Sequence, residues 1–187
     1  MQLYALCDQG VLDRRGVSIE TFVDICKKNS ASIIQYRNKT ADLATLKSQL
    51  ILLRQLFDGY LIVNDAYELI EYCDGVHMGQ EDLAVVDPDI SKAVAIVREI
   101  IGKGKLLGIS THNADEIAVA NDLDLNYIGL GAYRNTTTKA VPNLLGETLD
   151  TLAKESLHPV AAIGGVKRDD TFLHVSYLVI GSGLFED

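Results

Sequence analysis

Short apolar runs recur eight times along this chain, at residues 3–7, 32–36, 60–63, 75–77, 106–109, 127–130, 160–163 and 178–180, and helical patterns separate most of them. Between the second and third runs, Leu43, Leu46, Leu50, Leu53 and Phe57 recur at helical spacing, with Thr40 placed to cap them. Asp87-Pro88 predicts another helix start, with Pro88 at the tolerated first position and Ile90, Val94, Val97 and Ile101 on one face. Asn113 and Glu116 have capping-box spacing, with Asn in place of the usual Ser or Thr. Helices are also predicted over 19–28, 66–72, 144–154 and 169–174. Strands that alternate with helices pair in parallel, because parallel neighbours need a crossover between them. Eight such units predict a single TIM-barrel domain over 1–187, a closed (β/α)8 barrel; an open doubly wound sheet is the alternative. Since the sequence stops at Phe185-Glu186-Asp187, no helix is expected after the eighth strand.

Composition narrows the partners. A formal net charge of -9 and a pI near 4.8 disfavour nucleic acid and anionic membrane, both of which call for a basic footprint. The apolar stretch 50–53 is cut by Arg54 and is too short to span a bilayer. The opening Met1-Gln2-Leu3-Tyr4 lacks the charged start and long apolar run of a signal peptide. Cys7, Cys26 and Cys73 are odd in number and without metal-type spacing, so they read as small buried side chains in a reducing cytoplasm.

Against that acidic background, Gln35, Arg37 and Lys39 stand out. They follow the apolar run Ala31-Ser32-Ile33-Ile34, and at a side-chain period of two they share one face at a strand's carboxyl end. Such a cluster suits a multiply charged anion, Arg by its planar fork and Lys as a point charge; taken alone it reads as well as a solvated strand end. Other polar motifs also fall just after apolar runs, where a parallel barrel assembles its active site. Asn64-Asp65, Gly79-Gln80-Glu81-Asp82, Ser110-Thr111-His112, the run from Asn135 through Thr136, Thr137, Thr138 and Lys139, Gly164-Gly165, and Gly181-Ser182-Gly183 all do so. Asp65 and Asp82, from adjacent strands, suit one Mg2+ ion, which commonly takes one or two carboxylates plus waters and phosphate. They read equally as a helix cap and a loop turn. The glycine pairs after strands seven and eight fit a backbone phosphate site or plain turns. His77 reads as a barrel-interior structural residue, and His112 as either a general acid/base or a hydrogen-bonding group at a helix start. Gly102-Lys103-Gly104-Lys105 lacks the spacing and the terminal Ser/Thr of a phosphate loop.

Taken in order, these segments closely resemble the thiamine-phosphate synthase (thiamine-phosphate pyrophosphorylase) and TenI-like family. The resemblance runs from Leu3-Tyr4 to Phe185. It is carried by Gln35-Tyr36-Arg37-Asn38-Lys39, Asn64-Asp65, the segment from Asp74 to Asp82, Gly108-Ile109-Ser110-Thr111-His112, Thr136-Thr137-Thr138-Lys139 and Ala162-Ile163-Gly164-Gly165. It implies a (β/α)8 barrel that joins hydroxymethylpyrimidine diphosphate to a thiazole phosphate, giving thiamine phosphate and pyrophosphate. Gln35, Arg37, Lys39, Asn64, Ser110 and Lys139 match the pyrimidine-diphosphate site, and Asp65 and Asp82 match Mg2+ ligands. Thr136, Thr138, Gly165, Gly181 and Ser182 match the thiazole-phosphate side, and Thr137 lies within the same run. The chain departs from the family pattern at Asn135, where Pro is common, and at Ala66, where a basic residue is common. The alternatives are a TenI-like thiazole tautomerase, with a His at the position of His112 moving a proton, and a non-catalytic ligand-binding paralogue. An uncovered apolar strip beside strands one and eight is expected to drive self-association.

Overall fold

The computed structural model describes residues 1–135 and 144–186. Eight parallel strands close into a barrel in sequence order: β1 (Gln2–Asp8), β2 (Ile33–Arg37), β3 (Tyr60–Asn64), β4 (Gly75–Met78), β5 (Leu106–Thr111), β6 (Tyr127–Leu130), β7 (Val160–Ala162) and β8 (Tyr177–Ile180). The helices are α1 (Gln9–Arg15), α2 (Ile19–Lys28), α3 (Leu43–Leu56), α4 (Gln80–Val86), α5 (Ile90–Ile101), α6 (Ala114–Asn121) and α7 (Thr148–Ala153). Every strand coincides with an apolar run, because a strand buried on both faces has no polar alternation to interrupt it. The period of two divides the side chains into two cores. Tyr4, Leu6, Ile33, Ile62, Tyr127, Ala161 and Val179 fill the barrel, while Ile34, Leu61, Val63, Leu107 and Ile128 pack outward under α2, α3, α5 and α6.

Helix boundaries differ from expectation where a better cap competes. Asp42, not Thr40, caps α3, its carboxylate accepting from the Thr45 N–H at 2.8 Å; Thr40 is held instead by Asn38. Asp89 accepts from the Ser91 and Lys92 N–H groups, which leaves Pro88 outside α5. Residues Tyr67–Tyr72 form a 3₁₀ turn, and the helix expected over 144–154 is confined to Thr148–Ala153. No helix forms over 169–174. Asp150 takes the Leu173 and His174 N–H groups at 3.0 and 2.9 Å, and Asp170 takes that of Lys167 at 2.8 Å, so side chains replace helical bonds there. Helices α1 and α4, short and placed directly after strands, were not expected.

The exposed strip expected beside strands one and eight is absent among the described residues. Leu178 and Ile180 pack outward, Val179 packs inward, and all three are buried. A 3₁₀ turn at Ser182–Phe185 covers the seam: Leu184 is buried, Phe185 lies 6.1 Å from the Phe22 ring, and the Arg15 guanidinium sits over Phe185. The physical ground for expecting self-association is therefore gone. No helix among the described residues is long and apolar enough to cross a membrane.

Candidate active site

The carboxyl ends of the strands gather most of the polar residues singled out above. Gln35 and Arg37 point into the barrel from β2, in register with Leu6 and Asp8 of β1. Asp8 pairs with Arg37 through Oδ2 while its Oδ1 caps α1 at the Val11 N–H, so one carboxylate fixes both the helix and the guanidinium. The signal for Asp8 was available and missed: it follows an apolar run as the other site residues do.

Lys39 lies beyond the end of β2 and reaches across to the ends of β3 and β4. Its Nζ is 2.5 Å from Asp65 Oδ2 and within 3.5 Å of both Asp82 oxygens. Burial pulls the Lys39 ammonium down, but hydrogen bonding and charge from Asp65, joined by Asp82, outweigh it and hold its pKa above the ordinary lysine value. Asp65 occupies the left-handed region at φ 62°, which Asp tolerates, and its Oδ1 accepts the Gly79 N–H at 3.0 Å. Neither expected structural role holds for the two carboxylates. Asp65 precedes Ala66 at the start of the 3₁₀ turn, and Asp82 lies in the first turn of α4. Gly79 separates them, since a Cβ there would come within 2.8 Å of Asp82 Oδ2. Arg37 and Lys39 bring two positive charges against three negative ones from Asp8, Asp65 and Asp82, so this described part of the site carries a net negative charge. Asn64 donates to the His77 carbonyl at 3.2 Å.

Beneath this layer runs a feature the sequence reading did not find. Gln35, Tyr4, Tyr127, His77 and Ser110 are linked in that order by hydrogen bonds of 2.6, 2.9, 3.1 and 3.0 Å. His77 is interior, as expected, and burial lowers its pKa to about 4. Gln80 donates to the Ser110 carbonyl at 2.6 Å. His112 Nδ1 and backbone N–H both meet Glu116 Oε2, at 2.9 and 2.8 Å, a contact that fits a helix-start group and equally orients the ring as an acid/base histidine is oriented.

On the far side, Gly164 and Gly165 have φ of 87° and 64° and press against the loop after β6. A Cβ on Gly164 would lie 2.4 Å from Ala132 Cβ, and one on Gly165 would lie 2.8 Å from Arg134 Cβ. Arg134 clamps the two loops with a bidentate pair to Asp170, both bonds 2.7 Å. Gly181 and Ser182 follow β8 at the start of the 3₁₀ turn, and a Cβ on Gly183 would lie 3.9 Å from the Val166 carbonyl after β7. Gly181 has no comparable steric need, its nearest neighbour for a Cβ being 3.7 Å away. Thr136, Thr137, Thr138 and Lys139 lie outside the described residues. No group of three or more His, Cys, Asp or Glu positioned for a metal occurs among the described residues. The three cysteines are buried, and burial pushes Cys26 up to about 12 and Cys73 up to about 11, so neither is a ready nucleophile.

Known proteins share this arrangement of sequence and fold. The thiamine-phosphate synthase of Persephonella marina is 31% identical over 172 residues, covering 89% of this chain and 77% of that protein. The thiamine-phosphate synthase of Lawsonia intracellularis is 33% identical over 173 residues, covering 89% of this chain and 75% of that protein. The solved thiamine phosphate pyrophosphorylase from Pyrococcus furiosus superimposes with a TM-score of 0.77 at 23% identity, covering 97% of this chain and 87% of that one, a likeness of fold. The thiamine monophosphate synthase family model matches residues 3–175, nearly the whole barrel, and the chain belongs to that family.

Proposed function

We propose that this chain is a thiamine-phosphate synthase that joins hydroxymethylpyrimidine diphosphate to thiazole phosphate and releases pyrophosphate. The observation that carries the reading is the convergence of Arg37, Lys39, Asp65 and Asp82 at one mouth of a barrel belonging to this family. Chemically the reaction is a leaving-group problem. Diphosphate departs readily only if its growing charge is neutralised, and preorganised cations do this without reorganising in the transition state. Asp8 anchors one edge of Arg37, and the other N–H groups, which have no hydrogen-bond partner among the described residues, are proposed to meet a phosphate oxygen. Lys39 adds a point charge, and Lys139 is proposed to add another.

Mg2+ fits this donor set. Two carboxylates already converge on one ammonium cation, and a mouth with net negative charge needs an added cation before it can hold a diphosphate. Asp65 and Asp82 would be its protein ligands, with water and phosphate oxygens completing the shell. When bound, the ion supplies further charge neutralisation at the departing oxygens. Gln35, Asn64 and Ser110 orient the pyrimidine. Gly165, Gly181 and Ser182, with Thr136, Thr137 and Thr138, hold the thiazole phosphate. As the electron-rich aminopyrimidine delocalises the cation left behind, the thiazole nitrogen attacks; that step needs positioning rather than a protein nucleophile. We place the reaction in the cytoplasm, consistent with three buried free thiols. Pyrophosphate release that depends on both substrates supports this assignment, and release that is unchanged when thiazole phosphate is omitted contradicts it.

A further inference from the structure

We propose that Lys39 is an exchangeable internal cation: its ammonium holds Asp65 and Asp82 together until a divalent cation takes the two carboxylates, and the freed ammonium then turns to the diphosphate. The inference rests on the Mg2+ and diphosphate reading above and adds a competition within it.

The contacts set two assignments of Lys39 against each other. Its Nζ lies 2.5 Å from Asp65 Oδ2 and 3.5 and 3.3 Å from Oδ1 and Oδ2 of Asp82, and these two residues are its only hydrogen-bond partners among the described residues. An ammonium has three donors and no lone pair, so here it spends its hydrogens on the same oxygens that a hard divalent cation would coordinate. Two cations cannot share that pair of carboxylates, because their like charges repel at contact range. Nor can Lys39 serve as a point charge on the diphosphate while its hydrogens stay on Asp65 and Asp82. Both roles hold together only if the ammonium moves.

Which partner moves follows from what else holds each one. Backbone holds the carboxylates: Asp65 Oδ1 accepts the Gly79 N–H at 3.0 Å, the Asp65 N–H donates to the His77 carbonyl at 2.9 Å, and Asp82 stands in the first turn of α4. The Lys39 ammonium is held by those carboxylates alone among the described residues. It lies beyond the last residue of β2 on a flexible four-carbon stem, with its side chain 47% exposed. Arg37 differs on each count, since it belongs to β2, is less exposed and pairs with the buried Asp8. The site therefore has one fixed cation and one exchangeable cation. Before the exchange, Lys39 offsets the repulsion between Asp65 and Asp82. After it, the divalent cation balances both carboxylates and the charge of Lys39 is released toward the diphosphate, so the two ligands reinforce each other's binding.

Two titrations on the full chain test the exchange, each at unchanged far-ultraviolet circular dichroism. The first counts free Mn2+ by electron paramagnetic resonance with no phosphate compound present. Lys39→Met removes the competitor and is expected to tighten Mn2+ binding about fivefold, the worth of an ion pair of this exposure. Asp82→Asn is expected to weaken it. Arg37→Met removes an equal charge that touches neither carboxylate, and is expected to change it by less than about twofold. The second titration follows pyrophosphate by calorimetry in excess Mg2+, where Lys39→Met is expected to weaken binding about tenfold. Opposite effects of one substitution are the signature of exchange, and Lys39→Gln should reproduce them. Mn2+ affinity unchanged in Lys39→Met, or raised equally in Arg37→Met, overturns the exchange and leaves the metal site standing. Pyrophosphate affinity unchanged in Lys39→Met overturns the transfer to the diphosphate. If neither the parent nor Lys39→Met binds Mn2+, or Asp82→Asn binds it as the parent does, the metal assignment fails and the exchange falls with it.

Discussion

Replacing Gly108 by Ala tests the barrel interior most severely. Gly108 of β5 pairs in register with Tyr127 of β6, and its added Cβ would meet the Tyr127 ring at 2.2, 2.4 and 2.6 Å. The ring has nowhere to go. It stacks on His77 at 5.5 Å and meets Tyr4 and Tyr177 edge-on at 5.9 and 6.4 Å. Overpacking of this kind costs about 1–3 kcal/mol. Displacing the ring also breaks the Tyr127 hydrogen bonds to Tyr4 and His77, each contributing about 1 kcal/mol. Together these give a loss of about 3–5 kcal/mol, or a fall in Tm of roughly 6–20 °C for a chain of this size. Urea unfolding followed by circular dichroism measures the loss. Gly104→Ala is the control, because its Cβ would meet nothing within 4 Å. The double variant Gly108→Ala/Tyr127→Leu should be less destabilised than the sum of its parts, since removing the ring removes the collision. A Gly108→Ala protein within about 0.5 kcal/mol of the parent refutes the packing described here.

Turnover should require Mg2+ (or Mn2+), and Asp65→Ala and Asp82→Ala should each weaken metal-dependent diphosphate binding; full activity in excess chelator contradicts this. Arg37→Ala should lower kcat/KM by about 10²–10³, with part of the loss in kcat. Lys47→Ala, which removes only a cation resting on the Tyr72 ring, should change little, and matching kinetics for the two variants return Arg37 to a solvated surface role. Asp170 is held below the ordinary carboxylate range, chiefly by its hydrogen bonds from Arg134. A depressed folded pKa means that its stabilisation is present above about pH 3.9, where the unfolded Asp is ionised, and is lost as pH falls through the folded value. Asp170→Asn should therefore cost about 1 kcal/mol at neutral pH and nothing once both forms are protonated. A cost independent of pH in urea titrations contradicts that origin.

The strands were legible because each is largely buried on both faces and reads as a short run dominated by apolar residues, with Gln35 and His77 as polar exceptions inside the barrel. Gln35, Arg37 and the residues after each run were legible for the same reason: in a parallel barrel, chain order alone brings strand ends to one face. What could not be read was partnership across the barrel. Nothing local in Leu3-Tyr4-Ala5 or Asn126-Tyr127-Ile128 says that two phenols 123 residues apart share a hydrogen bond. The helix errors have a local cause. Asp42 and Asp89 each outcompete a neighbouring Thr or Pro because a carboxylate reaching a free N–H two or three residues on is the stronger stop. The segment 169–174 carried a helical pattern, yet Asp150, distant in sequence, took its N–H groups first. The expected open seam at β8 failed because a four-residue 3₁₀ turn, too short for a helical period to reveal, covers it.

The central claim is tested most directly by mass-spectrometric analysis of the purified protein incubated with hydroxymethylpyrimidine diphosphate, thiazole phosphate and Mg2+. The account predicts thiamine phosphate and pyrophosphate in equal amounts, with neither formed when either substrate is withheld. A folded protein that consumes neither substrate, or that isomerises the thiazole without releasing pyrophosphate, would contradict it.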